Sequence, residues 1–305
     1  MSKPIIIENI KQYNIEFTGD DLVLTLKQTP INTNNDTQIT ELDISYENLT
    51  TLPNNLPSNL QTLYCNNNQL TSLPGDLPQN LHYIDCIYNQ LTKLPDNLPP
   101  NLKSLVCSIN KLTTLPNNLP QNLQHLYCSN NQLTTLPDNL PESLQDISCD
   151  WNQLTALPDN LPQNLIVLHC YNNQLITLPD NLPPSLILIS CSNNQLTTLP
   201  NNLPQNLEKL YCYGNKLTSL PDKLPQNLKT LYCYENKLTI LPNLPTSLTS
   251  IDLKNNPLKE NYPLIFTFKQ ASEIVAYVNA RNAEMLADAQ NKLAETQKII
   301  AMLSK

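Results

Sequence analysis

Along most of the chain, apolar residues fall in one fixed frame, L-x-x-L-x-C-x-x-N-x-L-T-x-L-P-x-x-L-P-x-x, which returns every 21 residues. One copy runs LQHLYCSNNQLTTLPDNLPES, from Leu123 to Ser143. Around the Cys, inward apolar positions alternate with outward ones, the period of two that marks a short half-buried strand. The Asn that follows ends the strand. The return segment, LPDNLPQN and its variants, cannot be a regular α-helix, because prolines four apart remove donors and push the preceding residues toward extended or polyproline geometry. A constant period of this length means that one unit is stacked many times. Aligned on the Cys, the chain holds eleven units, from Ile39 (ITELDISYENL) to Leu248 (LTSIDLKNNPL). The end units degrade: Ile44 and Leu253 stand in the Cys slot, and Glu47 stands in the Asn slot. Coils at the ~4.8 Å strand spacing give a parallel sheet and an array about 50 Å long.

The predicted organisation has three parts. Residues 1–38 fall outside the frame. IIIENI, YNIEF and LVLTL read as short strands with Thr18-Gly19-Asp20-Asp21 as a turn, forming a β-type cap on the first coil, followed by a polar connector. Residues 39–258 are the repeats. Residues 259–305 turn helical from about Ala271, in a run rich in Ala, Leu, Glu, Gln and Lys, with Ser272 or a residue just before it as the cap. Ile274, Val275, Val278, Leu286, Leu293 and Ile300 form an apolar stripe along that helix. The first turns are expected to cap the last coil. Leu286, Leu293 and Ile300 are seven apart, so a second reading pairs the distal part with another chain.

Composition sharpens this. Nine Cys, at 65, 86, 107, 128, 149, 170, 191, 212 and 233, all occupy the same slot. Each points inward from its own coil, an arrangement unlike the converging ligands of a zinc site, and the count is odd for disulfides. Cys is therefore read as a small apolar side chain filling a narrow core, and free thiols in such number favour a reducing, cytoplasmic compartment. Gly is scarce (3) and Pro abundant (26), which leaves no glycine loop to cradle phosphate. Net charge is −8, so nucleic acid and anionic membranes are poor partners. No apolar stretch approaches a membrane span, and MSKPIIIENIKQ lacks the apolar core of a secretory signal.

The strand-and-Asn frame closely resembles the leucine-rich repeat family, with Cys in its third Leu slot. The resemblance covers residues 39–258. It implies an α/β solenoid with its parallel sheet on the concave face. The short unit with paired LP is similar to repeats of secreted effectors of Gram-negative pathogens, and equally to repeat proteins encoded by giant DNA viruses of amoebae. For function, the resemblance implies only binding of other macromolecules. The effectors that act as ubiquitin ligases carry a large catalytic domain after the repeats; here 47 residues follow them.

The Asn slot supplies Asn68, Asn89, Asn110, Asn131, Asn152, Asn173, Asn194, Asn215, Asn236 and Asn256, a ladder whose amides bond backbone groups of neighbouring coils. No catalytic signature stands out: His82, His125 and His169 pair with nothing in sequence, and Asp146 and Asp150 are set too far apart to share work. The chain is read as non-enzymatic, without cofactor or metal. What remains is the outward sheet face, at unit positions three, five and seven. It carries His169 and Tyr171, then Ser190 and Ser192, then Tyr211 and Tyr213, then Tyr232 and Tyr234, with Trp151 at the rim and Asp150, Lys209, Glu235 and Asp252 as surrounding charge. The four tyrosines form a square on adjacent strands. Two readings stand: hot spots for a protein partner, or copies of a duplicated template, since LYC occurs in four units. Trp151 is an anchor or a cover for the Asn turn. The function expected is a protein-binding scaffold. The alternatives are a structural or self-assembling component, such as part of a virion, joined through the terminal helix, and an adaptor recruiting substrates to an enzyme such as a ubiquitin ligase. The host cell cytosol is one setting that suits all three.

Overall fold

The computed structural model describes residues 13–17, 24–28, 40–52, 54 and 56–303. The chain divides into two compact units, Met1–Leu175 and Ile176–Lys305, a division that falls inside the repeat carrying Cys170.

In the first unit, β1 (Tyr13–Phe17) and β2 (Leu24–Gln28) pair antiparallel, Tyr13 opposite Gln28. YNIEF is thus a strand, and the described second strand overlaps the expected LVLTL from Leu24 on; IIIENI, the turn at 18–21, Leu22, Val23 and the capping contact lie outside the described residues. Seven three-residue strands follow: β3 (Glu41–Asp43), β4 (Thr62–Tyr64), β5 (Tyr83–Asp85), β6 (Ser104–Val106), β7 (His125–Tyr127), β8 (Asp146–Ser148) and β9 (Val167–His169). They pair parallel in chain order, each residue opposite its counterpart 21 positions on. The second unit holds β10 (Leu188–Ser190), β11 (Lys209–Tyr211), β12 (Thr230–Tyr232) and β13 (Ser250–Asp252), also parallel in chain order, with an offset of 21 positions except between β12 and β13, where it is 20, and helix α1 (Ala271–Leu303). Among the described residues, the return segments between strands contain no helix. Each closes through a turn in which the Leu opening the next unit donates its N–H to a Pro carbonyl three residues back, as Leu81 does to Pro78 at 3.2 Å.

The core is a stack of files. Leu and Cys of successive coils are buried, and all nine thiols are free with no exposed surface. Burial pushes the thiols of Cys65, Cys86, Cys107, Cys128, Cys149 and Cys191 far above the usual range, so they stay protonated. They do more than fill space: Cys86 and Cys149 donate to the carbonyls of Val106 and His169, both at 3.3 Å.

The Asn slot carries the turn. Asn152 is typical. Its Nδ2 donates to the carbonyls of Cys128 (3.1 Å), Cys149 (3.0 Å) and Asp150 (3.1 Å), and its Oδ1 accepts the Leu133 N–H at 2.9 Å. Each inner Cys carbonyl accepts two such bonds, one from its own coil and one from the next. A second ladder, absent from the sequence reading, runs along the return turns: Asn80, Asn101, Asn122, Asn164, Asn206 and Asn227 each donate to a carbonyl of the preceding coil. The recurring LPQN is the signal that marks it.

Unit position eight, just before the ladder Asn, has positive φ in all eleven units, between 51° and 63°. Asn or Gly holds six of these positions; Tyr46, Tyr88, Ile109, Trp151 and Glu235 hold the others. The left-handed conformation costs an ordinary side chain roughly 1–2 kcal/mol, most for a β-branched one such as Ile109.

Helix α1 does not use Ser272 as its cap. Glu273 reaches back instead, accepting the N–H groups of Lys269 (3.2 Å) and Gln270 (3.1 Å). Glu273 lies within the first turn, where its charge also suits the helix dipole. The expected apolar stripe splits. Val275 and Val278 are buried, whereas Leu286, Leu293 and Ile300 are about 60% exposed.

Candidate functional site

In the second unit, parallel pairing of β11 with β12 sets Tyr211 opposite Tyr232. Their ring centroids are 5.4 Å apart and the planes cross at 64°. Two residues on, past the strand ends, Tyr213 and Tyr234 stack at 4.4 Å with planes within 6°. Such aromatic pairs are worth about 0.5–1.5 kcal/mol each beyond their buried area. The Tyr232 hydroxyl shares a 2.9 Å hydrogen bond with Ser250. Partial burial, and then the neighbouring Tyr213, raise the Tyr234 hydroxyl above its usual pKa. All four rings are half-buried, packed on one another over the sheet. Ser190, expected on the outward face, is buried opposite Tyr211, and Ser192 is fully buried. The face is therefore not evenly exposed.

In the first unit, His169 lies on β9 and Tyr171 two residues beyond it; both are half-buried, and Trp151 is 54% exposed. Between them sits a feature that sequence reasoning misplaced. Asp150, expected as rim charge, is only 6% exposed. Its Oδ2 accepts a 2.9 Å bond from Ser129 Oγ, while Oδ1 is buried without a hydrogen-bond partner. Burial pushes this carboxyl above the ordinary carboxylate range, against the opposing pull of Ser129, His169 and Tyr171. Asp146 belongs to a separate cluster: Tyr127 donates to it at 3.3 Å, and His125 Nδ1 lies 3.9 Å away.

A raised folded-state pKa means that the native chain binds the Asp150 proton more readily than the unfolded chain does. Stability therefore falls as pH rises through the folded pKa, and the cost is absent below the unfolded value of about 3.9. Asp150→Asn is expected to be more stable than the parent at pH 7, with the gap closing near pH 4. Urea midpoints at the two pH values measure it; an equal gap at both refutes the assignment.

Among the described residues, no group of three His, Cys, Asp or Glu side chains is placed to hold a metal ion, and no helix is long and apolar enough to cross a membrane. Residues 58–100 match the family description Leucine Rich repeats (2 copies), and residues 122–142 match Leucine Rich Repeat. YopM, a leucine-rich effector protein from Yersinia pestis, superposes with a TM-score of 0.64 at 41% identity, over 71% of this chain and 61% of that one. The chain is a leucine-rich repeat protein. Other members of the fold agree. YopM from Yersinia enterocolitica WA-314 gives a TM-score of 0.58 and 34% identity, over 69% of this chain and 50% of that one. The functional domain of InlJ from Listeria monocytogenes, which includes a cysteine ladder, gives 0.63 and 28%, over 72% and 49%. This leucine-rich repeat protein thus spans about half to three fifths of the lengths of these relatives. No curated protein sequence matches it. Leucine-rich repeat proteins are generally scaffolds that bind other proteins rather than enzymes.

Proposed function

We propose that the chain is a non-enzymatic scaffold that binds a protein partner through the tyrosine-bearing face of β11 and β12. The observation that carries this is the pair of ring contacts, Tyr211 with Tyr232 and Tyr213 with Tyr234. A hot spot needs rigid aromatic area held ready before the partner arrives, ringed by polar groups. Lys209 and Glu235 are exposed beside the rings and supply the charge. In the first unit, His169, Tyr171 and Trp151 form a candidate surface of their own. The likeness to YopM supports an effector-like role, and the free thiols suit a reducing, intracellular setting.

The test is the double variant Tyr213→Ala with Tyr234→Ala. Its folding stability is expected to stay within about 1 kcal/mol of the parent, the worth of one ring pair. Affinity for a partner is expected to fall by at least about 2 kcal/mol, read by titration calorimetry. Unchanged affinity returns the rings to the status of repeat copies. The second reading, a self-assembling structural component, is favoured by the exposed Leu286, Leu293 and Ile300; a concentration-independent monomer in sedimentation removes it.

A further inference from the structure

Unpaired backbone collects where a stack of coils stops. Within the second unit, each inner coil passes two N–H groups to the next. Cys233 donates to the Asp252 carbonyl at 3.0 Å, and Glu235 to the Lys254 carbonyl at 2.9 Å. The same positions in the last coil are Leu253 and Asn255. No coil follows, and neither N–H has an acceptor among the described residues. The Leu253 carbonyl is likewise short: it takes the Asn256 amide of its own coil at 3.0 Å and lacks the second amide that inner coils receive. Helix α1 closes only the return side, through Asn279 on Leu244 and Asn282 on Leu241.

Burial tells the same story. The central residue of every strand from β3 to β12 is 2% exposed or less, but Ile251 at the centre of β13 is half-buried. Beside this strand, Lys254, Asn255, Asn256, Pro257, Lys259 and Phe266 line a pocket of about 640 Å³ together with Glu260. Phe266 is 38% exposed and the Lys254 side chain 76% exposed, its one ion pair among the described residues being a loose 3.8 Å contact with Asp252. Beside the two free N–H groups, this edge carries the ammonium groups of Lys254 and Lys259 together with the carboxylates of Asp252 and Glu260.

We propose that the open edge of β13 is a second docking surface, which takes an extended, acid-bearing peptide segment of a protein partner as an added strand. Two N–H groups two residues apart match the carbonyl spacing of an extended chain, and unpaired strand edges recruit such segments. Ile251 receives apolar cover, and the lysines meet the acidic side chain. This surface is separate from the tyrosine face and stands or falls without it.

A synthetic peptide with the sequence of residues 229–240, KTLYCYENKLTI, made with Cys233→Ser, is the probe; it is strand-forming and carries Glu235 at unit position eight. It is expected to bind the full chain with a Kd below about 1 mM and to slow amide exchange at Leu253 and Asn255 by about tenfold or more. Ile251→Lys, which puts a charge on the edge, and Lys254→Glu, which changes only an exposed side chain, are each expected to weaken binding by at least about tenfold. Gln153→Ala, at an exposed position in the first unit, is expected to leave it unchanged. Absence of binding at about 1 mM, or binding without protection at Leu253 and Asn255, overturns the proposal. So does a chain that self-associates and becomes monomeric on Ile251→Lys, since the edge then belongs to a second copy.

Discussion

Asn152→Ala is expected to cost roughly 3–4 kcal/mol of folding stability, more than any surface substitution in the array. The side chain is 8% exposed and makes four hydrogen bonds to backbone. Its loss falls unevenly. The Leu133 N–H is left with no acceptor, which alone costs about 1–3 kcal/mol. The Cys128 and Cys149 carbonyls each keep one bond, from Asn131 and Asn173, and the Asp150 carbonyl keeps the Asn130 N–H. Those three therefore lose only about 0.5–1.5 kcal/mol apiece at most. Asn152→Asp should be worse, because it keeps the acceptor for Leu133 but turns a lone pair toward three carbonyls. Gln153→Ala, next in the chain and exposed, is the control, expected within about 0.5 kcal/mol of the parent. Urea unfolding measures all three, with amide exchange alongside because a stack of coils can open locally. Equal effects from Asn152→Ala and Gln153→Ala would show that the amide contributes nothing.

That ladder was legible in the sequence because one residue type recurred at one slot, and periodicity converts directly into geometry. The parallel strands, the inward Cys file and the helix-free return were legible for the same reason. What escaped were features that a one-dimensional pattern does not encode. The burial of Asp150 depends on which side chains stand in the coils on either side, Ser129 before it and Tyr171 after it. Ser190 is buried although its alternating position reads as outward. The positive φ at unit position eight was masked because Tyr, Ile, Trp and Glu occupy a slot whose conformation favours Asn or Gly. Of the expected tyrosine square, Tyr211 and Tyr232 sit on adjacent strands and Tyr213 and Tyr234 just past their ends; the two different ring geometries, crossed and stacked, come from side-chain packing.

The closure of the second unit supplies the other large effect: Asn279→Ala with Asn282→Ala is expected to cost roughly 3 kcal/mol and to fray the last coil. Neither residue attracted notice in the sequence, although two Asn three apart inside a helix are a signal. Asn is a poor helix former, so such a pair on one face has a use beyond the helix. Here the helix imitates a missing coil. Asn279 Oδ1 accepts the Leu244 N–H at 2.7 Å, and its Nδ2 donates to the Leu244 carbonyl at 2.9 Å. One turn on, Asn282 Nδ2 donates to the Leu241 carbonyl at 3.1 Å. Its Oδ1 accepts the Tyr262 hydroxyl at 2.7 Å, which in turn accepts the Leu241 N–H at 3.0 Å. Tyr262 is fully buried, so this ring of bonds is sheltered from water that would otherwise replace it. The double variant leaves both backbone groups of Leu244 unpaired and weakens the pairing of Leu241. Truncation after Asn282 retains every one of these bonds and is expected to fold with stability close to the parent. Amide exchange at Leu241 and Leu244 distinguishes the two: fast in the double variant, slow in the truncated chain. Fast exchange in both would mean that the distal helix, with its exposed Leu286, Leu293 and Ile300, holds the coil closed instead.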